Sequence, residues 1–175
     1  MVALVTGAQQ GIGRACALAL AAAGHDVAVN GLDDRAAAEA VAEGVRAAGR
    51  KAVLVQGDVG AGAKACAALV EAAAVAIGTV EVLVNNAGIF PRVEFLEMEE
   101  GQWDQVFAVN LKGSVFCAQA AARAMVASGV KGCIVNLASS AVRGTPVGVH
   151  YSATKNGVVG TPAPWRWRWR RMASG

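Results

Sequence analysis

Five short apolar runs, separated by alanine-rich segments, constrain the fold more than any other feature of this sequence. The runs are residues 2–6, 27–30, 53–56, 82–85 and 133–137. Each is nearly continuously apolar and rich in β-branched residues, which is typical of strands buried on both faces of a sheet. The intervening segments, about residues 11–23, 34–48, 62–77 and 101–127, are long enough for helices. This alternation predicts a doubly wound α/β fold with a parallel sheet between two layers of helices.

Length and composition narrow the class of protein. A chain of 175 residues suits a single domain, and 55% hydrophobic with 17% charged residues argues against a disordered chain. The sequence has no apolar run of about 18 residues and no basic N-terminal segment, so we expect neither a membrane span nor a signal peptide. The four cysteines lack metal-ligand spacing. We therefore expect a cytoplasmic protein with reduced, mostly buried cysteines and no metal site.

The positive net charge comes from one end of the chain. The sequence has 16 basic and 13 acidic residues, and four of the arginines lie at positions 166, 168, 170 and 171. Without those four the balance is 12 − 13 = −1. The basic charge is therefore a property of the C-terminal segment, and we expect no nucleic-acid partner.

A glycine-rich segment joins the first predicted strand to the first predicted helix. It reads Thr6-Gly7-Ala8-Gln9-Gln10-Gly11-Ile12-Gly13. Glycines at this position allow a tight turn, and they let a pyrophosphate approach the free N–H groups at the helix N-terminus. The spacing is GxxxGxG rather than the more common GxGxxG, and a simple tight connection is the alternative. We predict that the segment binds a dinucleotide through Gly7, Gln9, Gln10, Gly11, Ile12 and Gly13.

Further motifs follow in a consistent order. Asn85-Asn86-Ala87-Gly88 ends the fourth predicted strand, and Asn110, Ser139 and Tyr151-x-x-x-Lys155 come after it. With the glycine segment, these motifs resemble the short-chain dehydrogenases/reductases over residues 1 to about 160. The style of the motifs is similar to that of 3-oxoacyl-acyl-carrier-protein reductases. Sugar and small polyol dehydrogenases carry the same motifs.

The resemblance implies a function and a set of site residues. It implies hydride transfer between NAD or NADP and a ketone or secondary alcohol, with a small-molecule substrate. The implied catalytic residues are Asn110, Ser139, Tyr151 and Lys155. The implied cofactor contacts, besides the glycine segment, are Asp58, Val59, Asn86, Ala87, Gly88, Tyr151 and Lys155. The alternative function is a nucleotide-binding or inactive product without turnover.

Residue chemistry supports part of this set independently. Tyr151 and Lys155 are four residues apart and share one face of a helix. The pKa of a free tyrosine is ~10, and a lysine ammonium on the same face favours the phenolate. Ser139 can donate a hydrogen bond to a substrate carbonyl. The alternative for Tyr151, the only tyrosine, is a packed core aromatic residue.

Two other residues have a structural alternative. Asn110 lies within the fourth predicted helix, where it is either an exposed polar residue or, as the family implies, a residue at a kink that holds a water beside the lysine. Asp58 follows the third predicted strand. The family implies a contact with the adenine ring, whereas a simple turn carboxylate is the alternative.

Cofactor preference depends on the end of the second predicted strand. An acidic residue there binds the ribose 2′-OH of NAD, whereas a basic residue accepts the 2′-phosphate of NADP. Gly31 occupies the position where the family often has the acid, and Asp33 follows two residues later. Gln10 stands where NADP-dependent members often have a basic residue. We expect NAD, with NADP as the alternative.

The pattern changes after residue 160, so we divide the chain into a domain over 1–160 and a segment over 161–175. Pro162 and Pro164 exclude a helix interior, and three of the four tryptophans alternate with arginine from residue 165. With arginine encoded by CGN, each Trp-Arg codon pair contains GCG, an alanine codon, in a shifted frame, so we predict a frameshifted segment, which sequencing of the coding DNA would test. The domain would then lack the last two strands of the family. We expect the exposed apolar surface to promote self-association, while the usual homo-oligomer of the family is doubtful.

Overall fold

The computed structural model describes residues 1–161. In these residues five parallel strands form one sheet in the order β3-β2-β1-β4-β5. The strands are β1 (Val2–Val5), β2 (Asp26–Gly31), β3 (Ala52–Gln56), β4 (Val80–Asn85) and β5 (Cys133–Asn136). The helices are α1 (Gly11–Ala22), α2 (Arg35–Ala47), α3 (Ala63–Ile77), α4 (Glu100–Phe107), α5 (Ser114–Ala127) and α6 (Val149–Gly160). The predicted doubly wound α/β fold is confirmed.

The strand order creates a crevice beside β1. The chain first winds outward from β1 to β3 and then returns to place β4 on the other side of β1. Val5, the last residue of β1, pairs with Val29 of β2 and Val84 of β4. The loops that follow β1 and β4 therefore leave the same sheet edge in opposite directions, and ligands of open α/β sheets bind at such a point.

The core has one apolar layer on each face of the sheet. On one face Leu4 and Leu83 pack with Leu69 of α3 and Met125 of α5. On the other face Val5, Val27 and Val29 pack with α1 and α2, where alanines such as Ala17 and Ala38 are fully buried. Small alanine side chains let these helices approach the sheet closely. None of the helices within residues 1–161 has both the length and the apolar character needed to cross a membrane.

Strand β5 departs from the predicted burial on both faces. Ile134 packs against the core, but Cys133 is exposed and Val135 is 44% exposed. Helices α1 and α2 cover β1, β2 and β3 on that side, and no helix within residues 1–161 covers β5 there. The prediction is therefore wrong for β5, and Cys133 is not a core residue. The four cysteines are free thiols.

The single helix predicted over residues 101–127 is divided. Between α4 and α5 the chain makes a π-helical turn over Ala108–Gly113. Asn110 lies in this turn with 1% exposure, so the alternative of an exposed polar residue is wrong. Gly113 lets the turn pack closely, since a Cβ there would lie 2.9 Å from Cγ2 of Val59. Such one-turn π-helical segments within helices are frequent at functional sites.

The segment with alternating tryptophan and arginine lies outside the described residues. The boundary at residue 160, the frameshift and the self-association remain predictions.

Candidate active site

The loop between β1 and α1 needs its three glycines for different reasons. Gly7 and Gly11 have φ angles of +60° and +55°, which favour glycine. Gly7 also lies against the loop after β4, since a Cβ there would be 2.9 Å from Cα of Ala87. A Cβ on Gly13 would overlap Nδ2 of Asn86 and the carbonyl oxygen of Gly7. The GxxxGxG spacing thus follows from two positive φ angles and one very close contact.

Asn30 at the end of β2 fixes this loop, a role that was not predicted from the sequence. Its Oδ1 accepts a hydrogen bond from the N–H of Gly7 at 3.0 Å. Its Nδ2 donates to the carbonyl oxygens of Val55 and Gly57 at 3.0 and 3.1 Å. The residue is 2% exposed. A polar residue at the end of an otherwise apolar strand was the available signal.

The motif after β4 also holds the loop. Oγ1 of Thr6 accepts hydrogen bonds from the N–H groups of Asn86 and Ala87, both at 3.1 Å. Nδ2 of Asn86 donates to the carbonyl oxygens of Thr6 and Gly7, both at 2.9 Å. Because burial makes an unpaired polar group costly, this set of bonds fixes the relative position of the two loops. Asn86 is therefore a structural residue of the site as well as part of its wall.

These loops surround a cleft of about 640 Å³. The predicted cofactor residues that line it are Gly7, Gln9, Gln10, Gly11, Ile12, Asp58, Val59, Asn86, Ala87 and Gly88. Gly13 does not line the cleft and packs against Asn86 and Gly7 instead. The lining residues without a predicted role include Asn30, Leu32, Ile89, Gln105 and Val109. No described side chain caps α1, so its first N–H groups are available to an anion.

Two aspartates, Asp33 and Asp58, line this cleft. Gln9 accepts a hydrogen bond from the N–H of Leu32 at 2.7 Å and donates from Nε2 to Asp33 at 3.1 Å. The bond from Gln9 lowers the pKa of Asp33. Asp58 accepts from the N–H of Gly60 at 2.7 Å and thereby caps a short 3₁₀ turn, Val59–Ala61. Asp58 thus has the turn role and also lines the cleft.

Ser139 and Tyr151 line a second cleft of about 420 Å³. Ser139 follows β5 and caps the 3₁₀ turn Ser140–Arg143, with its Oγ accepting from the N–H of Ala141 at 3.2 Å. That bond uses a lone pair, so the hydroxyl hydrogen can still be donated. Tyr151 lies in the first turn of α6. The two clefts adjoin, because Ile89 lines the first and Phe90 lines the second.

Lys155 lies behind Tyr151 rather than in either cleft. Its Nζ is 5.6 Å from the centroid of the Tyr151 ring and donates to the carbonyl oxygen of Leu137 at 2.7 Å. The residue is 6% exposed, and this burial lowers the pKa of Lys155. The lysine therefore pairs with the tyrosine on one face of α6, and its environment eases proton release.

Asn110 supports the site through contacts with the loop after β4 and with α6. Its Oδ1 accepts from the N–H of Ile89 at 2.8 Å, and its Nδ2 donates to the carbonyl oxygen of the same residue at 2.9 Å. Nδ2 also lies 3.4 Å from Oγ1 of Thr154 on α6. Its backbone carbonyl accepts from Oγ of Ser114 at 2.9 Å. The side chain thus holds the loop after β4, whereas a water beside the lysine remains a prediction.

No group of three potential metal-ligating residues occurs within residues 1–161.

Comparisons with known proteins identify the family of this chain. The family model for short chain dehydrogenases matches residues 1–169. A 3-oxoacyl-[acyl-carrier-protein] reductase from Staphylococcus aureus is 43% identical over 160 residues, which are 90% of this chain and 64% of that protein. An L-rhamnose 1-dehydrogenase (NAD(P)(+)) from Sphingomonas is 42% identical over 156 residues, which are 89% of this chain and 61% of that protein.

Solved structures give the same result. The crystal structure of acetoin dehydrogenase from Enterobacter cloacae matches with a TM-score of 0.91 and 33% identity, covering 98% of this chain and 68% of that one. The chain spans about 64% of the length of the Staphylococcus relative. From the matched family model and these identities, the chain belongs to the short-chain dehydrogenase family.

Proposed function

We propose that this chain is an NAD(P)-dependent oxidoreductase that transfers a hydride between nicotinamide and a ketone or secondary alcohol. One observation carries the proposal: Tyr151, with Nζ of Lys155 5.6 Å from its ring, shares a cleft with Ser139. That cleft adjoins the larger cleft bounded by the glycine loop. A proton-transfer pair thus lies next to a site shaped for a dinucleotide.

The larger cleft has features that fit a dinucleotide. Gly7 and Gly11 line the cleft without side chains, so a ligand can approach the backbone there, and the uncapped N-terminus of α1 favours a pyrophosphate. Asp33 would face the adenosine ribose, and Asp58 with Val59 would border the adenine. A bound nicotinamide dinucleotide supplies or accepts the hydride.

The catalytic roles follow from the groups present. Ser139 donates its hydroxyl hydrogen to the carbonyl oxygen and stabilises the negative charge that develops there. The Tyr151 hydroxyl gives that oxygen its proton. The Lys155 ammonium favours the resulting phenolate, and its lowered pKa favours release of a proton to restore the phenol. Asn110 supports the loop between the two clefts through Ile89.

NAD is the preferred cofactor in this proposal. The nineteen residues lining the larger cleft include two aspartates and neither lysine nor arginine. A 2′-phosphate would therefore meet negative charge at Asp33, whereas a 2′-OH can donate to this carboxylate. We expect the dissociation constant of NADH to be about tenfold lower than that of NADPH, and Asp33→Asn to narrow the difference. A wild-type chain that binds NADPH more tightly would contradict this preference.

A 3-oxoacyl thioester on a carrier protein is the proposed substrate. The support is the 43% identity to a relative with that name. L-Rhamnose and acetoin appear in the names of other similar proteins. A panel containing an acetoacetyl thioester, acetoin and L-rhamnose therefore separates the three substrate classes.

The decisive test compares the wild-type chain with Tyr151→Phe. Removing the hydroxyl should lower the rate of ketone reduction by about 10²–10⁴-fold, the usual contribution of general acid catalysis. The dissociation constant of NADH, measured by fluorescence titration, should change little. A variant with full turnover would refute the role of Tyr151. A folded wild-type chain that binds NADH but reduces no substrate would instead favour the nucleotide-binding alternative.

A further inference from the structure

An aromatic side chain outside the predicted site lies directly against Tyr151. The ring centroids of Phe90 and Tyr151 are 4.2 Å apart, and their planes differ by 26°. Cζ of Arg92 lies 5.9 Å from the centroid of Phe90, and Nζ of Lys155 lies 5.6 Å from that of Tyr151. Two stacked rings are thus each accompanied by a cation, and both kinds of contact are attractive.

The start of α6 leaves room for this stack. Gly148, which precedes the helix, has a φ angle of +76°. A Cβ at this position would lie 2.5 Å from Cε2 of Phe90. The N–H of Gly148 donates to the carbonyl oxygen of Val93 at 2.9 Å, which joins the loop carrying Phe90 to α6. Any larger residue at 148 would both strain the backbone and displace the ring.

The stack matters because little else orients the phenol. Within residues 1–161 the hydrogen bonds of Tyr151 involve its backbone atoms: its N–H donates to Gly148 and to His150, and its carbonyl accepts from Thr154. The direction of its hydroxyl therefore depends on ring packing. Phe90 is 40% exposed and lines the same cleft as Ser139 and Tyr151, so its ring can hold Tyr151 at the edge where a substrate enters.

We propose that Phe90 is a positioning residue, whose ring holds the phenol of Tyr151 with its hydroxyl facing the cleft. This inference rests on the proposed function, because the orientation matters for turnover only if Tyr151 transfers the proton. Catalysis is sensitive to such placement, since a displacement of about 1 Å can lower a rate 10²-fold. A partial loss of packing should therefore change kcat more than cofactor binding.

The test uses Tyr151 as its own probe. Since it is the only tyrosine, isotope-labelled tyrosine gives a single set of ring signals in an NMR spectrum of the full chain. These signals should be shifted upfield by the Phe90 ring in the wild type and in Phe90→Trp. The shift should be lost in Phe90→Ala and in Phe90→Leu, which keeps most of the volume. Phe95→Ala, which removes a 66% exposed ring from the same loop, is the matched control.

Kinetics provides the second readout. We expect Phe90→Ala to lower kcat about tenfold with the KM for NADH within about twofold, and Phe90→Trp to restore kcat. Unchanged Tyr151 signals in both Phe90→Ala and Phe90→Leu would overturn the inference, whatever the turnover. Normal kcat in those variants would overturn it while leaving the proposed function intact. If the wild type reduces no ketone, the proposed function fails, and the ring signals alone decide whether Phe90 packs against Tyr151.

Discussion

The two clefts are held in different ways. The walls of the cofactor cleft are joined across four strands, β3, β2, β1 and β4, by buried polar side chains, of which Asn30 is 2% exposed and Thr6 is 1% exposed. The catalytic cleft depends in part on surface elements: the exposed Asn156 joins α6 to the turn after Ser139, and Phe90 is 40% exposed. One cleft is therefore part of the sheet, whereas the other is attached to its edge.

This difference predicts a difference in local stability. Breaking a bond of Asn30 leaves buried groups of β3 and the glycine loop without partners, whereas groups freed around Asn156 can bind water. The cofactor cleft should therefore be rigid, and cofactor binding should be sensitive to the removal or addition of single side-chain atoms. Catalytic geometry should respond more gradually to mutation. The following substitutions test this contrast.

Gly13→Ala should have the largest effect. The added Cβ would overlap Nδ2 of Asn86 and the carbonyl oxygen of Gly7, both of which are fixed by other bonds. We expect the free energy of unfolding to fall by about 3 kcal/mol, the upper end for overpacking, and NADH binding to be lost. Denaturant melts and NADH titration measure the two effects. Gly101→Ala, where a Cβ meets nothing within 4 Å, should be neutral or slightly stabilising.

A matched pair of asparagines compares the two clefts directly. Asn30→Ala removes an acceptor for Gly7 and a donor to Val55 and Gly57, so we expect a loss of about 2 kcal/mol in the free energy of unfolding. Asn156→Ala removes bonds to the carbonyls of Val142 and Ser152 at an exposed position, so we expect about 0.5 kcal/mol. Equal losses in denaturant melts would show that the clefts do not differ.

The sequence could predict the features that depend on local patterns, but not those that depend on contacts between distant segments. Strand burial and the glycine loop come from local patterns, as do the helix ends, where the glycines at 24, 49, 78 and 129 all have positive φ. The exposed face of β5 could not be predicted, because it depends on which helices reach β5. The π-helical turn at Asn110 depends on a partner twenty-one residues away, Ile89. The stack of Phe90 on Tyr151 likewise joins separate segments.

The buried Lys155 predicts a pH-dependent difference in stability between the wild type and a variant without the lysine. Burial lowers its pKa, so the folded chain holds fewer protons at this site than the unfolded chain between the folded and unfolded pKa values. The free energy of unfolding of the wild type should therefore rise relative to that of Lys155→Met as pH increases toward the unfolded value of ~10.4. Below the folded pKa the difference should be constant. Denaturant melts at several pH values measure this difference. A free energy of unfolding of the wild type that falls relative to that of Lys155→Met as pH increases would contradict the buried cation.

Substitution of Asp58 should have a small effect on stability and separates the two roles of this residue. Its carboxylate caps the turn by accepting from the N–H of Gly60 at 2.7 Å, so Asp58→Ala should lower the free energy of unfolding by about 0.5–1 kcal/mol. Asp58→Asn keeps an acceptor oxygen and should restore most of this stability. If Asp58 also borders the adenine, the dissociation constant of NADH should rise several-fold in Asp58→Ala, beyond what the lower stability explains. Unchanged affinity in a fully folded Asp58→Ala chain would leave capping as its role, because the carboxylate then contributes nothing to the cleft that it lines.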